Sequence, residues 1–176
     1  WQSDLELMKR SIPYFIEDDQ FFVNMVTVSG HFNYGDNHEI AVQHIETVNQ
    51  YEEDHGIELD EEMKYYLATS IELDLAVKYL MDTLEENSKL DDTAIIIYGD
   101  HYAYGLDEDT IWDYDGNPNY PYTEYEFKED GNELELHNVP FMIYSNKYRL
   151  NNTDTYYTEY FSTIDILPTI ANLFDL

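Results

Sequence analysis

The chain has 176 residues, 43% of them hydrophobic. That is enough apolar content for one domain with a packed core, and it excludes a disordered chain. With 38 acidic against 8 basic residues, the net charge is −30. Such a surface repels nucleic acid and anionic membrane, and an anionic substrate must be held by a metal or a few local donors. The absence of cysteine excludes disulfides, a thiol nucleophile and thiolate metal ligands.

No stretch approaches the roughly 18 apolar residues of a membrane span. The sequence opens at Trp1 without a leader, so it is expected to be a piece of a longer protein whose targeting signals lie elsewhere.

Residues 3–12 read as a short helix, with Ser3 as its cap and Leu5, Met8 and Ile12 as a partial stripe. Phe21 to Val28 is apolar and β-branched and predicts a buried strand. A loop, Ser29 to Gly35, follows. Residues 36–60 are polar and irregular, and His38, His44 and His55 in them are taken as surface residues. Glu61 to about Glu86 predicts the longest helix, striped by Met63, Leu67, Ile71, Val77, Leu80, Met81 and Leu84. Asp74 falls on that stripe and is read as a buried carboxylate bonded to a neighbouring backbone group or Tyr, in preference to a catalytic one.

Asn87 to Asp92 is a turn, and Thr93 to Tyr98 a second buried strand. Residues 106–136 are acidic, Tyr-rich and broken by Pro and Gly, which predicts a surface insertion with a hairpin around 122–127. Val139 to Tyr144 is a third strand, and Ser162 to Leu173 a closing helix capped by Ser162 or Thr163, with Ile166, Ile170 and Leu173 on one face. Strands alternating with helices imply an α/β fold, a mostly parallel sheet sandwiched by helices, with residues 21–98 as a βαβ unit.

The chemistry-bearing run is Gly99-Asp100-His101, at the carboxyl end of the second strand. Open α/β sheets bind ligands outside those ends. A carboxylate and an imidazole are ligands for Zn, Mn or Mg, and Gly99 allows the sharp turn that lets neighbouring side chains converge. Two ligands do not close a site. The alternative is an Asp capping the next turn beside a surface His. His31 lies just past the end of the first strand; on the same rim as His101 it can donate to a phosphate or sulfate oxygen. His137 precedes the third strand, which places it on the opposite rim. The oxygen-rich stretch from Asp113 to Glu124 is EF-hand-like in spacing, but Pro118 stands where the sharp turn needs Gly, so it is not read as a calcium loop.

Four segments together resemble the lipoteichoic acid synthases, phosphoglycerol transferases with a sulfatase-like, alkaline-phosphatase-superfamily fold. Tyr98-Gly-Asp-His-Tyr-Ala-Tyr-Gly105 is similar to their metal motif. Phe22 to Phe32 resembles their strand and substrate-histidine loop. Tyr66 to Leu84, with Asp74, resembles the helix before the metal strand. Thr163 to Ile170, with Asp165, Pro168 and Thr169, resembles their C-terminal helix.

The resemblance implies that residues 1–176 are the C-terminal part of a sulfatase-like catalytic domain. Asp100 and His101 would be two ligands of a catalytic Mn2+ (or Mg2+), and His31 would contact the phosphoglycerol head group. A Thr nucleophile and a Glu ligand would lie upstream. The implied reaction moves phosphoglycerol from phosphatidylglycerol to a glycerolphosphate polymer or glycolipid, on the extracellular face of a bacterial membrane, with anchoring helices elsewhere in the protein. The family's usual Pro after the His-aromatic pair is Asn33 here, and the 106–136 insertion has no counterpart; both bear on substrate identity. A sulfatase or phosphodiesterase of the same fold, or a non-catalytic binding domain, are the rival readings.

Overall fold

The computed structural model describes residues 3–106, 139–146 and 162–174. Helix α1, Asp4–Ser11, is capped by Ser3, whose Oγ accepts the Glu6 N–H at 3.0 Å. It runs into a 3₁₀ turn, Ile12–Tyr14, with Pro13 inside its first turn. Met8, Ile12, Phe15 and Ile16 then pack with Ala76, Leu84, Leu90 and Ile95 into the main core.

Residues 39–55 correct the expectation of irregular chain. They form α2, Glu39–His55, which ends at Gly56 with φ +62°, the left-handed turn that glycine takes without strain. Helix α3, Glu61–Glu86, matches its predicted span and is capped by the Asp60 carboxylate. The pair makes a helical hairpin around a second core of Ala41, Val48 and Ala68. Ala41 and Ala68 are completely buried, which lets the two backbones approach closely. Lys64 Nζ meets Glu52 Oε2 at 2.6 Å across the hairpin, and that ammonium, with the Leu59 N–H, holds the Glu52 carboxyl below its ordinary range. No described helix is long and apolar enough to cross a membrane.

A 3₁₀ turn, Leu90–Asp92, leads to β1, Ile95–Tyr98. Strand β2 is Phe141–Tyr144, and the two pair antiparallel, Ile95 opposite Tyr144 and Tyr98 opposite Phe141. The expected parallel sheet is therefore not what the described strands form. Alternation of strands with helices demands parallel pairing only where a helix makes the crossover, and the sequence between β1 and β2 carries no clear helical period. Residues 21–28 are not paired in this sheet. Phe21 and Met25 still pack against the main core, while Phe22 and Val26 are exposed. Phe21 meets Phe15 with ring centroids 4.9 Å apart. The segment touches the core only at Phe21 and Met25, four residues apart, and has no ladder neighbour among the described residues.

The last helix, α4, Ile166–Leu173, follows a 3₁₀ turn at Thr163–Asp165. Ser162 caps that turn, and the Asp165 carboxylate reciprocates by accepting the Ser162 N–H at 2.9 Å. Ile166, Ile170 and Leu173 are its half-buried face, as the spacing predicts. The insertion with its hairpin at 122–127, the Asp113–Glu124 stretch and His137 lie outside the described residues.

Two buried acids join the helices. The Asp4 carboxylate accepts the Val28 N–H at 2.8 Å and the Ser29 N–H at 3.2 Å, while Ser29 Oγ accepts the Asp4 N–H at 2.9 Å. Glu72, in the middle of α3, accepts from Ser3 Oγ, from the Leu5 N–H at 3.3 Å and from His44 Nε2 at 2.8 Å. α1, α2 and α3 thus meet on one carboxylate. The buried acid of α3 is Glu72 and not Asp74, which is exposed. The deepest line of α3 runs through Ala68, Glu72 and Ala76, where small side chains let neighbours come closest; the bulky stripe containing Asp74 flanks it.

Burial pushes the Glu72 carboxyl up, but hydrogen bonds from Ser3 and His44 outweigh it and leave the group below its ordinary value. A carboxyl lowered by folding adds stability that is complete above its unfolded pKa, about 4.3, and is lost as pH falls through the folded value. Urea midpoints of wild type and Glu72→Gln should therefore differ most at neutral pH and draw together as pH falls through the ordinary carboxylate range and below it. Parallel curves would rule Glu72 out as the titrating group.

Candidate metal centre and its rim

Strand β1 delivers Gly99, Asp100 and His101 to its carboxyl end. Gly99 is required there by close approach: its N–H bonds the Pro140 carbonyl at 3.0 Å, and a Cβ would stand 2.9 Å from the Val139 Cβ. The antiparallel register brings the start of β2, Val139 and Pro140, to the same rim as Asp100. This removes the premise that put His137 on the opposite rim.

Asp100 and His101 lie side by side, both exposed, with Nε2 3.6 Å from Oδ1. His101 Nδ1 is 2.8 Å from the Tyr102 carbonyl oxygen. A carbonyl only accepts, so Nδ1 carries the hydrogen, and the tautomer that can ligate a metal turns its Nε2 lone pair towards the carboxylate. The 3.6 Å separation is beyond hydrogen-bond range. Ligands with bonds of about 2.1 Å to one tetrahedral ion stand roughly 3.4 Å apart. The backbone carbonyl behind the imidazole is the support that metal-bound histidines ordinarily have. The donor pair therefore fits a divalent cation. Among the described residues no third His, Asp or Glu joins it, so further ligands have to come from outside that set.

His31 reaches the same rim. Its ring stacks on Phe32, centroids 4.7 Å apart; Phe32 meets the Tyr104 ring edge-on at 5.5 Å; Tyr104 meets His101 at 4.7 Å. One run of four rings thus connects the two histidines that the sequence places beyond strand ends. His31 Nδ1 lies 3.0 Å from the Phe32 carbonyl oxygen, so that nitrogen is the donor and Nε2 remains for a ligand. The Phe32–Asn33 peptide is cis.

The two loops touch at Gly105, where a Cβ would fall 2.5 Å from the Phe32 Cβ and 2.9 Å from its Cγ. Gly105→Ala should cost about 1–3 kcal/mol through overpacking and displace the Phe32 ring. A lowered denaturation midpoint checks it; an unchanged midpoint would show that the loops do not meet there.

Beneath the rim, Tyr34 donates to the Gly30 carbonyl at 3.0 Å and packs edge-on against Tyr66 of α3 at 5.2 Å. Burial, with the neighbouring Tyr66 and Tyr104, pushes the Tyr34 phenol up to about 12. It is a donor at every physiological pH.

Two histidines read as surface residues are not. His38 is completely buried as the cap of α2, and His44 lies half-buried against Glu72. His55 is exposed, as expected, with Nδ1 2.9 Å from the Tyr51 carbonyl oxygen. The signal for His44 was its place between Ile40 and Val48, four residues from each, an apolar slot of a helix.

No curated protein and no solved structure matches the chain at a significant level. The Sulfatase family model matches residues 1–176. Members of this family generally use divalent metal ions, in accord with the donor pair at the end of β1. The chain belongs to the Sulfatase family.

Proposed function

We propose that this chain is part of a metal-dependent phosphoglycerol transferase of the cell envelope, acting on phosphatidylglycerol at the extracellular face of a membrane. The observation that carries the reading is the run of rings from His31 to His101 beside Asp100, which gathers a metal-type donor pair and a free imidazole on one exposed rim.

Asp100 and His101 would hold Mn2+ or Mg2+, which supplies charge neutralisation at phosphoryl oxygens and a lowered pKa for a hydroxyl nucleophile. That role answers the charge of the chain, since at −30 it attracts a phosphodiester only where a cation reverses the local field. Within this chain, Tyr102 fixes the His101 ring through its carbonyl. The Phe32 carbonyl fixes the His31 tautomer, so Nε2 is the atom left to meet the head group, donating a proton when the ring is charged. The Thr nucleophile, the remaining ligand and the membrane anchor are placed by this reading outside residues 1–176. The acceptor is a glycerolphosphate polymer or a glycolipid hydroxyl.

The test uses the full-length protein with Mn2+ and phosphatidylglycerol vesicles, alongside bis(p-nitrophenyl) phosphate and p-nitrophenyl sulfate. Diacylglycerol release with glycerolphosphate passed to an acceptor is expected. Cleavage of the sulfate ester alone would make the protein a sulfatase, and glycerolphosphate released only to water would make it a phosphodiesterase.

A further inference from the structure

The loop that carries His31 is held from below by a second imidazole. His38 is completely buried. Its Nε2 lies 3.1 Å from the His31 carbonyl oxygen, and its Nδ1 accepts the Ala41 N–H at 3.2 Å. A carbonyl can only accept and an amide N–H can only donate. The two bonds together require a neutral ring with its hydrogen on Nε2. Burial pushes the His38 imidazole down, against the lift from its backbone hydrogen bonds, and favours that neutral form.

His38 is also the cap of α2, and α2 is locked to α3 through Ala41, Val48 and Ala68. The His31 N–H, on the other side of the same Cα, donates to the Val28 carbonyl at 3.0 Å. Both peptide groups flanking the His31 Cα are therefore bonded, and the direction of its Cα–Cβ bond is set. The preceding carbonyl, that of Gly30, is taken by Tyr34. What stays exposed is the His31 side chain, on the rim shared with Asp100 and His101.

We propose that His38 is a positioning residue: by tying the His31 carbonyl to the start of α2, it fixes the imidazole that the run of rings connects to the metal-type donor pair. The proposal rests on the reading of His31 as the contact to the phosphoglycerol head group. Its chemistry needs both ring nitrogens, so two substitutions separate its two bonds. In His38→Asn the side-chain oxygen can still accept from Ala41, and Asn is a favoured helix cap, but the amide is too short to reach the His31 carbonyl. In His38→Gln the amide nitrogen can reach approximately the place of Nε2.

In the full-length protein, with Mn2+ and phosphatidylglycerol vesicles, His38→Asn should lower kcat/KM about 10- to 100-fold. Tm and metal content should stay near wild type, and His38→Gln should recover much of the loss. Nitrogen-detected NMR of the imidazoles should show His38 protonated on Nε2 and bare at Nδ1, and His38→Asn should shift or broaden the His31 ring signals. Wild-type kcat/KM with unmoved His31 signals in His38→Asn would overturn the proposal. Equal losses in both variants, in step with a fall in Tm, would also overturn it by making the role structural only. Failure of the head-group reading looks different: His31→Ala would keep full transfer, while the His31 ring signals would still answer to His38→Asn.

Discussion

Replacing Asp100 or His101 by Ala in the full-length protein is expected to remove most of the bound Mn2+ and lower phosphodiester turnover by about 10²-fold to 10³-fold or more. The two side chains stand 3.6 Å apart with their donor atoms facing. Losing either one leaves a catalytic site short of its ligand count. Lewis-acid stabilisation of a phosphoryl group is worth several kcal/mol, and each 1.36 kcal/mol is tenfold in rate. Metal content by mass spectrometry and kcat/KM on bis(p-nitrophenyl) phosphate should fall together. His31→Ala supplies the contrast, with lower transfer at constant metal. If Asp100→Ala keeps both its metal and its rate, the pair is a turn cap beside a surface histidine, and the proposed chemistry has lost its centre.

The second large effect concerns folding. Asp4→Ala should destabilise the protein by roughly 2–4 kcal/mol, since it strips a buried acceptor from the Val28 and Ser29 amides, at about 1–3 kcal/mol per stranded group. For a chain of this size, each kcal/mol moves Tm by about 2–4 °C, so a fall of roughly 5–15 °C is expected. Asp4→Asn keeps one acceptor oxygen and should recover part of it. Thermal melts of the three proteins decide the matter, and a Tm unchanged in Asp4→Ala would mean those amides have other partners. The same clamp sets the base of the His31 loop, two residues before His31, so transfer should weaken along with stability.

How much of this was legible in the sequence differs from element to element. α3 was readable across its whole span because its apolar period is long. The Gly99-Asp100-His101 rim was readable because a β-branched run stops at a glycine that tight backbone approach requires. α2 was not readable. Its inner line contains Ala41 and His44, one too small and the other too polar to register as a stripe, although burial treats both as inward. Glu72 was missed for the same reason, since the closest helix contacts are lined by small residues and the large apolar ones flank them. The segment 21–28 carried the composition of a strand, but being a strand depends on a hydrogen-bonding neighbour, and local sequence does not encode one. Strand direction was likewise beyond reach, because a long connection allows either direction of pairing and local sequence does not choose between them. That one nitrogen of His38 accepts a hydrogen bond while the other donates one could be seen only once the carbonyl of His31 was in place.

The bond between the Gly99 amide and the Pro140 carbonyl has a bearing on how this protein can diversify. It holds the chain leaving β1 and the chain entering β2 one strand spacing apart, about 4.8 Å. For a flexible loop whose ends are held together, doubling the length costs only about 0.6 kcal/mol. Natural or engineered relatives can thus vary the connection beyond Leu106 in length or chemistry, keeping Asp100 and His101, without retuning the helical hairpin. Novelty in what the protein recognises is therefore cheapest at the place where the donor pair already stands.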